Sequence, residues 1–361
     1  MKIMLILAMG FFDSGVLKKL VNVRVSPMCI KGIIKNALRY CLNITLGAYY
    51  FSRFLFVSDK PSAPVWISIT KAQIKNRINA WRARNRGFIA INHENMKKYK
   101  NSDTLVILGS GPSINDIEDT EWEMIKRCDS FAFNSFYAHP FIPTYYHLEL
   151  YSGNKELHRE CYSLKSNDFK KIPMILNFNH LSKEEVASDF SYITDCYVSI
   201  PFVASGINSE QKFSEMIEFL DIDHIFSKKS LLIHHRASLF LAISFAVIMG
   251  YKKIVLAGVD MFDMEYFFFD ADKYSDEIAS KLRVAKLESC IKARGETAEN
   301  IHKVADPSLF NTLPLDKAIV IFNEKYLKPR EIDLLLLSNN SLLYPRIREL
   351  EKNGPTSPRL Q

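Results

Sequence analysis

The residues Gly109-Ser110-Gly111-Pro112-Ser113 follow the apolar run Thr104–Leu108 without a break. A strand that stops at a glycine turn is the opening of a nucleotide-binding βα unit. The glycines let the backbone approach a phosphate, Pro112 stiffens the turn, and Ser113 can cap a following helix whose unpaired N–H groups favour an anion. The third glycine of G-x-G-x-x-G is absent, and glycine turns after strands also serve folding alone. A second cluster, His234-His235-Arg236-Ala237-Ser238, precedes an apolar run. His235 and Arg236 are candidate phosphate or acceptor contacts; the bland alternative is a strand end with one histidine buried and hydrogen-bonded. Gly258 and Asp260 close another apolar run, where an Asp either caps a turn or meets a ligand. His302, in Asn300-Ile301-His302-Lys303, carries the side chain suited to accept a proton near neutral pH, against a plain alternative of surface exposure. Asn177, after a further apolar run, could touch either substrate or simply end a strand. The only literal D-x-D match near Asp260 is Asp270-Ala271-Asp272, well past the strand end, so no obligatory metal is expected.

The elements that must position these residues are short buried strands separated by helices. Beyond Thr104–Leu108, strands are expected at 130–133, 145–148, 174–176, 196–200, 254–256 and 332–337, and an all-round apolar helix at 237–249. Strands alternating with helices give an α/β fold, a Rossmann-like, mostly parallel sheet with helices on both faces. Ligands of such sheets gather at the C-terminal edge, which should bring Asn134, Gly258 and Asp260 beside the Gly109 turn. A further helix is expected from residue 315 to 325.

The chain has 361 residues, 48% hydrophobic and 24% charged, with a net charge of +7. The positive excess is local: in the first hundred residues Asp13, Asp59 and Glu94 are the only acids among many Lys and Arg. We divide the chain into a basic N-terminal region (1–100), an α/β domain (101–348) and a flexible tail (349–361). Apolar residues recur at helical spacing over 30–42, with Lys31, Lys35 and Arg39 on other faces. The run 40–57 is interrupted by Asn43 and Arg53, and a central charge costs about 2.5–3.5 kcal/mol on insertion, so lodging at a membrane surface is expected over spanning it. Lys71, Lys75, Arg77, Arg82, Arg84 and Arg86 would suit anionic lipid; packing on the main domain is the alternative. No nucleic-acid recognition module is visible. Six scattered cysteines without paired spacing argue against zinc or a disulfide framework and for a reducing compartment. No small-residue cleavage site follows the apolar start, so no cleaved signal peptide is expected.

Two segments resemble a known family. VILGSGPSI followed by Phe133-Asn134-Ser135-Phe136-Tyr137, and RASLFLAISFAVIMGYKKIVLAGVD from Arg236 to Asp260, are similar to the bacterial sialyltransferases of glycosyltransferase family 42. The resemblance covers roughly residues 104–345. It implies a GT-A-like variant of the fold and a CMP-activated sialic-acid-type donor, transferred to a glycan or glycolipid acceptor in lipopolysaccharide or capsule synthesis. The expected setting is the cytoplasmic face of the bacterial membrane, with no obligatory cofactor and no nucleic-acid partner. It implies donor binding by Gly109, Ser110, Gly111, Pro112, Ser113, Asn134, Ser238, Gly258 and Asp260, a base at His302, and help to the departing phosphate from Tyr266. The family has Asn where this chain has Ser110. Pterin pyrophosphokinases and motility-associated glycosyltransferases share the G-x-G-P-S turn; the former implies Mg²⁺ dependence. A non-catalytic scaffold at a membrane surface is the reading outside enzymes.

Overall fold

The computed structural model describes residues 65, 67–69, 71, 89–149, 154–169, 171–177, 196–199, 206–219, 232–262, 265–296 and 302–351. The amphipathic stretch expected at 30–42, the run 40–57 and the basic residues from Lys75 to Arg86 lie outside them.

Among the described residues eight strands form one parallel sheet: Ile89–Ala90 (β1), Thr104–Leu108 (β2), Asp129–Phe133 (β3), Tyr145–Glu149 (β4), Met174–Asn177 (β5), Cys196–Ser199 (β6), Lys253–Ala257 (β7) and Asp333–Leu336 (β8). Their order is β1-β6-β5-β4-β3-β2-β7-β8. From β2 the chain lays down β3 to β6 on one side, then returns to add β7 and β8 on the other. The order therefore reverses between β2 and β7, where open parallel sheets bind ligands beyond their strand tips.

The alternating side chains of β2 explain why this strand is central. Leu105 and Ile107 join one core, while Val106 and Leu108 join another on the opposite face. The helices Asp119–Lys126 (α1), Lys155–Leu164 (α2), Glu210–Phe219 (α3), Ser238–Ile248 (α4), Glu277–Glu296 (α5) and Leu315–Phe322 (α6) divide between these cores. Phe213 of α3, Phe240 of α4 and Phe322 of α6 belong to the core that holds Leu105; Ile125 of α1, Tyr162 of α2 and Leu282 of α5 belong to the core that holds Val106. Residues 238–246 of α4 are buried without exception, as its all-round apolar sequence requires.

Three expectations shift. The α/β unit does not begin at residue 101: the compact unit runs Pro61–Gln361, β1 pairs with β6, and Val65, Ile69 and Met96 lie in the core. The tail does not begin at 349, because Leu350 N–H donates to the Leu336 carbonyl (2.7 Å). The helix expected to end at 325 is α-helical only to Phe322 and continues as the π-turn Asn323–Leu327. Among the described residues no helix is long and apolar enough to cross a membrane.

Candidate functional site

The glycines meet across the switch point. Gly109 N–H donates to the Ala257 carbonyl (2.7 Å) and Gly111 N–H to the Gly258 carbonyl (2.9 Å). A Cβ on Gly109 would collide with the Gly258 carbonyl, one on Gly111 with the Asp260 carboxylate, and one on Gly258, at φ +66°, with the Ile114 side chain. The two loops thus need these glycines to pack on each other before any ligand enters.

Ser113 and Asp260 fasten the same loops. The turn after β2 does not lead straight into an α-helix; it makes the 3₁₀ turn Pro112–Asp116, and α1 starts at Asp119 with Glu118 as its cap. The Ser113 hydroxyl, expected to cap a helix, donates instead to Asp260, whose other oxygen accepts the Ser113 N–H (2.9 Å). Burial raises the Asp260 carboxyl above its ordinary value, opposed by the two Ser113 hydrogen bonds and reinforced by Asp116.

A second knot lies at the tips of β3 and β4. Asn134 leaves β3 at φ +53°, a conformation Asn tolerates better than most residues. Its Oδ1 accepts the Glu149 N–H (3.0 Å), which fixes the amide so that Nδ2 donates to Ser238 Oγ (3.4 Å). Ser238 in turn donates to Glu149 Oε2 (2.8 Å), and His234 Nε2 lies 3.0 Å from Oε1. Ser238 is the first residue of α4, so the positive end of that helix already faces a carboxylate of the same chain.

Arg236 and His235 are also committed within the protein. The Arg236 Nε bonds Thr312 Oγ1, and its terminal nitrogens bond the carbonyls of Val304, Asp306, Phe310 and Thr312. That is five bonds for the five N–H donors of a guanidinium, so Arg236 clamps the loop after His302 and has no donor left for phosphate. His235 is buried and bonds the Leu313 carbonyl through Nε2 (2.6 Å); burial lowers its pKa to about 4.

The clamped loop carries His302. Its N–H donates to the Met261 carbonyl (3.0 Å), and its Nδ1 accepts the Val304 N–H (3.3 Å). The tautomer assigned from that contact places the neutral ring's proton on Nε2. In that tautomer the ring presents an N–H donor, whereas the expected base would carry its proton on Nδ1. Tyr266 is tied to the glycine turn through its neighbour, since Phe267 N–H donates to the Ser110 carbonyl (3.0 Å).

These segments enclose a cleft of about 430 Å³, ample for a small ligand. Gly109, Ser110, Gly111, Pro112, Asn134, Arg236, Ser238, Gly258, Asp260, Tyr266 and His302 line it; Ser113, His235 and Asn177 do not. Asn177 is fully buried at the tip of β5, beside Glu149 in register. Three of the four non-glycine residues with positive φ, Asn134, Arg236 and Met261, also line the cleft, and such strain gathers at functional sites. Sequence reasoning missed several lining residues, among them Glu149, Asn154, His158, Glu265, Lys286 and Phe310. Only Glu149 left a signal, as an acid at the end of a buried strand. Among the described residues no three His, Cys, Asp or Glu side chains gather as a metal site.

Comparison of the chain with protein-family models, curated proteins and solved structures gives no match.

Proposed function

We propose that the cleft binds a CMP-activated sugar and that the chain is a glycosyltransferase acting on a sialic acid or related nonulosonic sugar, in the manner of the sialyltransferase family it resembles. The observation that carries this reading is the convergence of both resembling segments, far apart in sequence, on one strained cleft at the strand switch point. In the proposed arrangement the finer fold is a GT-A-like Rossmann variant.

The nucleotide phosphate sits at the Gly109–Pro112 turn, with Lys286 and Lys303 as the cations of the same lining. Transfer breaks the bond from the sugar's anomeric carbon to the phosphate oxygen and forms one to the acceptor oxygen, whose proton passes to the released phosphate. Negative charge grows on the departing phosphate, so a donor aimed at it stabilises the transition state. His302 Nε2–H is that donor in this proposal, with the Tyr266 hydroxyl as a second. The acceptor is a glycan or glycolipid. The basic residues 1–100 hold the enzyme to the cytoplasmic face of an anionic membrane, each Lys or Arg near the surface contributing about 1 kcal/mol.

The test is binding. CMP should raise the melting temperature of the full chain in proportion to the logarithm of its concentration, since a ligand of the folded state alone stabilises it. No shift with CMP or any CMP-sugar rejects the reading. Flotation with anionic vesicles tests the membrane arm: deletion of residues 1–60 should lower it, and unchanged flotation removes that arm alone.

A further inference from the structure

The cleft holds a carboxylate that a phosphate-binding site does not call for. Glu149, at the tip of β4, lines the same cavity as the glycine turn, and its side chain is 20% exposed. An anion there repels a phosphate, so it must face an uncharged part of whatever enters. Its surroundings fix what that part is. Asn134 Nδ2 donates to Ser238 Oγ, and Ser238 Oγ donates to Glu149 Oε2. His234 Nε2 lies at Oε1. Asn134 Oδ1 accepts the Glu149 N–H, and the Glu149 carbonyl accepts Asn154 Nδ2 (3.1 Å). The protons of the relay from Asn134 through Ser238 point toward the carboxylate, which makes it the terminal acceptor of that relay.

Ser238 orients the carboxylate, which at 20% exposure still turns part of its acceptor surface to the cleft. A ligand group here must therefore bring donors of its own. Asp260, the buried carboxylate of the cleft, lies against Gly111 in the glycine turn itself and accepts both Ser113 donors there, so it holds the turn where the phosphate would rest. Position favours the sugar of a nucleotide. β4 lies two places from β2 in the sheet, or roughly 10 Å at the usual strand spacing. A nucleotide whose phosphate rests on the glycine turn covers most of that span to its ribose, and the glutamate side chain closes the rest. A vicinal diol presents two O–H donors side by side, matching the two oxygens of a carboxylate.

We infer that Glu149 reads the ribose hydroxyls of the bound nucleotide and makes the cleft selective for ribonucleotides over deoxyribonucleotides. The inference rests on the nucleotide reading of the cleft and adds a specificity-determining residue that the resemblance does not supply. His234 and Ser238 are its positioning residues, both held against the carboxylate.

The experiment is isothermal titration of the full chain with CMP, 2′-deoxy-CMP and 3′-deoxy-CMP, repeated with UMP and 2′-deoxy-UMP, on the wild type and on Glu149→Gln. Loss of a hydrogen bond to a charged group weakens binding about tenfold or more, so the wild type should prefer CMP over at least one deoxy analogue by about that factor. Glu149→Gln should shrink the preference to about threefold or less while leaving the deoxy analogues' own affinity nearly unchanged. Equal wild-type affinity for CMP and both deoxy analogues overturns the inference, and this arm needs no variant to fold. Glu149→Gln with the ribose preference intact also overturns it. A variant that instead alters the ratio of CMP to UMP assigns Glu149 to the base edge and overturns the ribose role. If UMP binds as well as CMP with the same ribose preference, the inference stands and the cytidine reading falls. No binding by any nucleotide overturns both.

Discussion

Ser113 and Asp260 join the loop after β2 to the loop after β7 by two hydrogen bonds onto one carboxylate, from the backbone N–H (2.9 Å) and from the hydroxyl. They lie 147 positions apart in the chain, so this pair closes the floor of the cleft at the strand switch point.

Ser113→Ala removes the hydroxyl and leaves a buried carboxylate oxygen without it. The cost expected is about 1–3 kcal/mol of folding stability. Urea unfolding of the variant checks this; a midpoint equal to the wild type's would show that the pair does not tie the loops. Burial holds the Asp260 pKa above its ordinary value, so ionisation opposes folding there. The stability lost to that ionisation appears as pH rises from the unfolded value through the raised one. Ser113→Ala takes away a contact that favours the ionised form, and its deficit relative to wild type should widen as pH rises through that window.

Arg236→Lys keeps the charge but replaces five forked donors by three on one nitrogen. The loop 304–312 should lose several of its clamped carbonyls. Hydrogen exchange by mass spectrometry should then quicken in peptides covering 302–313 while peptides of β2 and α4 keep their wild-type rates. Unchanged exchange in 302–313 would mean that the guanidinium does not hold the loop.

The central strands were legible because β2, β5 and β7 are runs of apolar residues buried on both faces. Thr104–Leu108 is met residue for residue, and the run expected at 254–256 grows by one residue at each end to Lys253–Ala257. β1 was not legible, since two residues carry no period. The strand read as 145–148 stops one residue short of Glu149, and that single residue concealed the acid at the cleft. The meeting of Gly109, Asn134, Gly258 and Asp260 followed from the rule that parallel sheets gather ligands at one edge. What the side chains do there did not follow. Arg236 looked like a phosphate ligand because its partners at Val304 and Asp306 lie 68 and 70 positions away. The roles of Ser238 and His302 turned on hydrogen bonds to Glu149 and to a backbone N–H, which no local pattern encodes.

Four histidines are held neutral by burial: His139 and His235 at about 4, His147 and His158 at about 3. A histidine depressed in this way takes up a proton only on unfolding, so its stabilisation is complete above about 6.5 and is lost as pH falls toward the folded value. Each should contribute a slope of up to about 1.4 kcal/mol per pH unit. Urea midpoints measured from pH 7 to 5 should fall steadily. His147→Leu should flatten that fall, because neither ring nitrogen of His147 has a hydrogen-bond partner among the described residues. A midpoint constant across this range would contradict the burial of these rings.

His302 separates the roles of donor and base. His302→Ala should leave the affinity for CMP within about threefold and lower turnover about 10²- to 10³-fold, the usual effect of removing one donor from a developing charge. His302→Gln retains an N–H and should recover part of the loss. Equal inactivity of the Ala and Gln variants would return His302 to the role of base, with the proton on Nδ1 in place of the Val304 contact.

The central claim is that this cleft cleaves a CMP-activated sugar. It is tested most directly by measuring CMP released when the full chain is incubated with a panel of CMP-activated nonulosonic sugars in the presence of a chelator. Release above the uncatalysed rate with at least one sugar, lost in Asn134→Ala but not in Lys126→Ala on the far helix α1, is the predicted result. No release from any of them, from a chain that is folded by its melting curve, would contradict it.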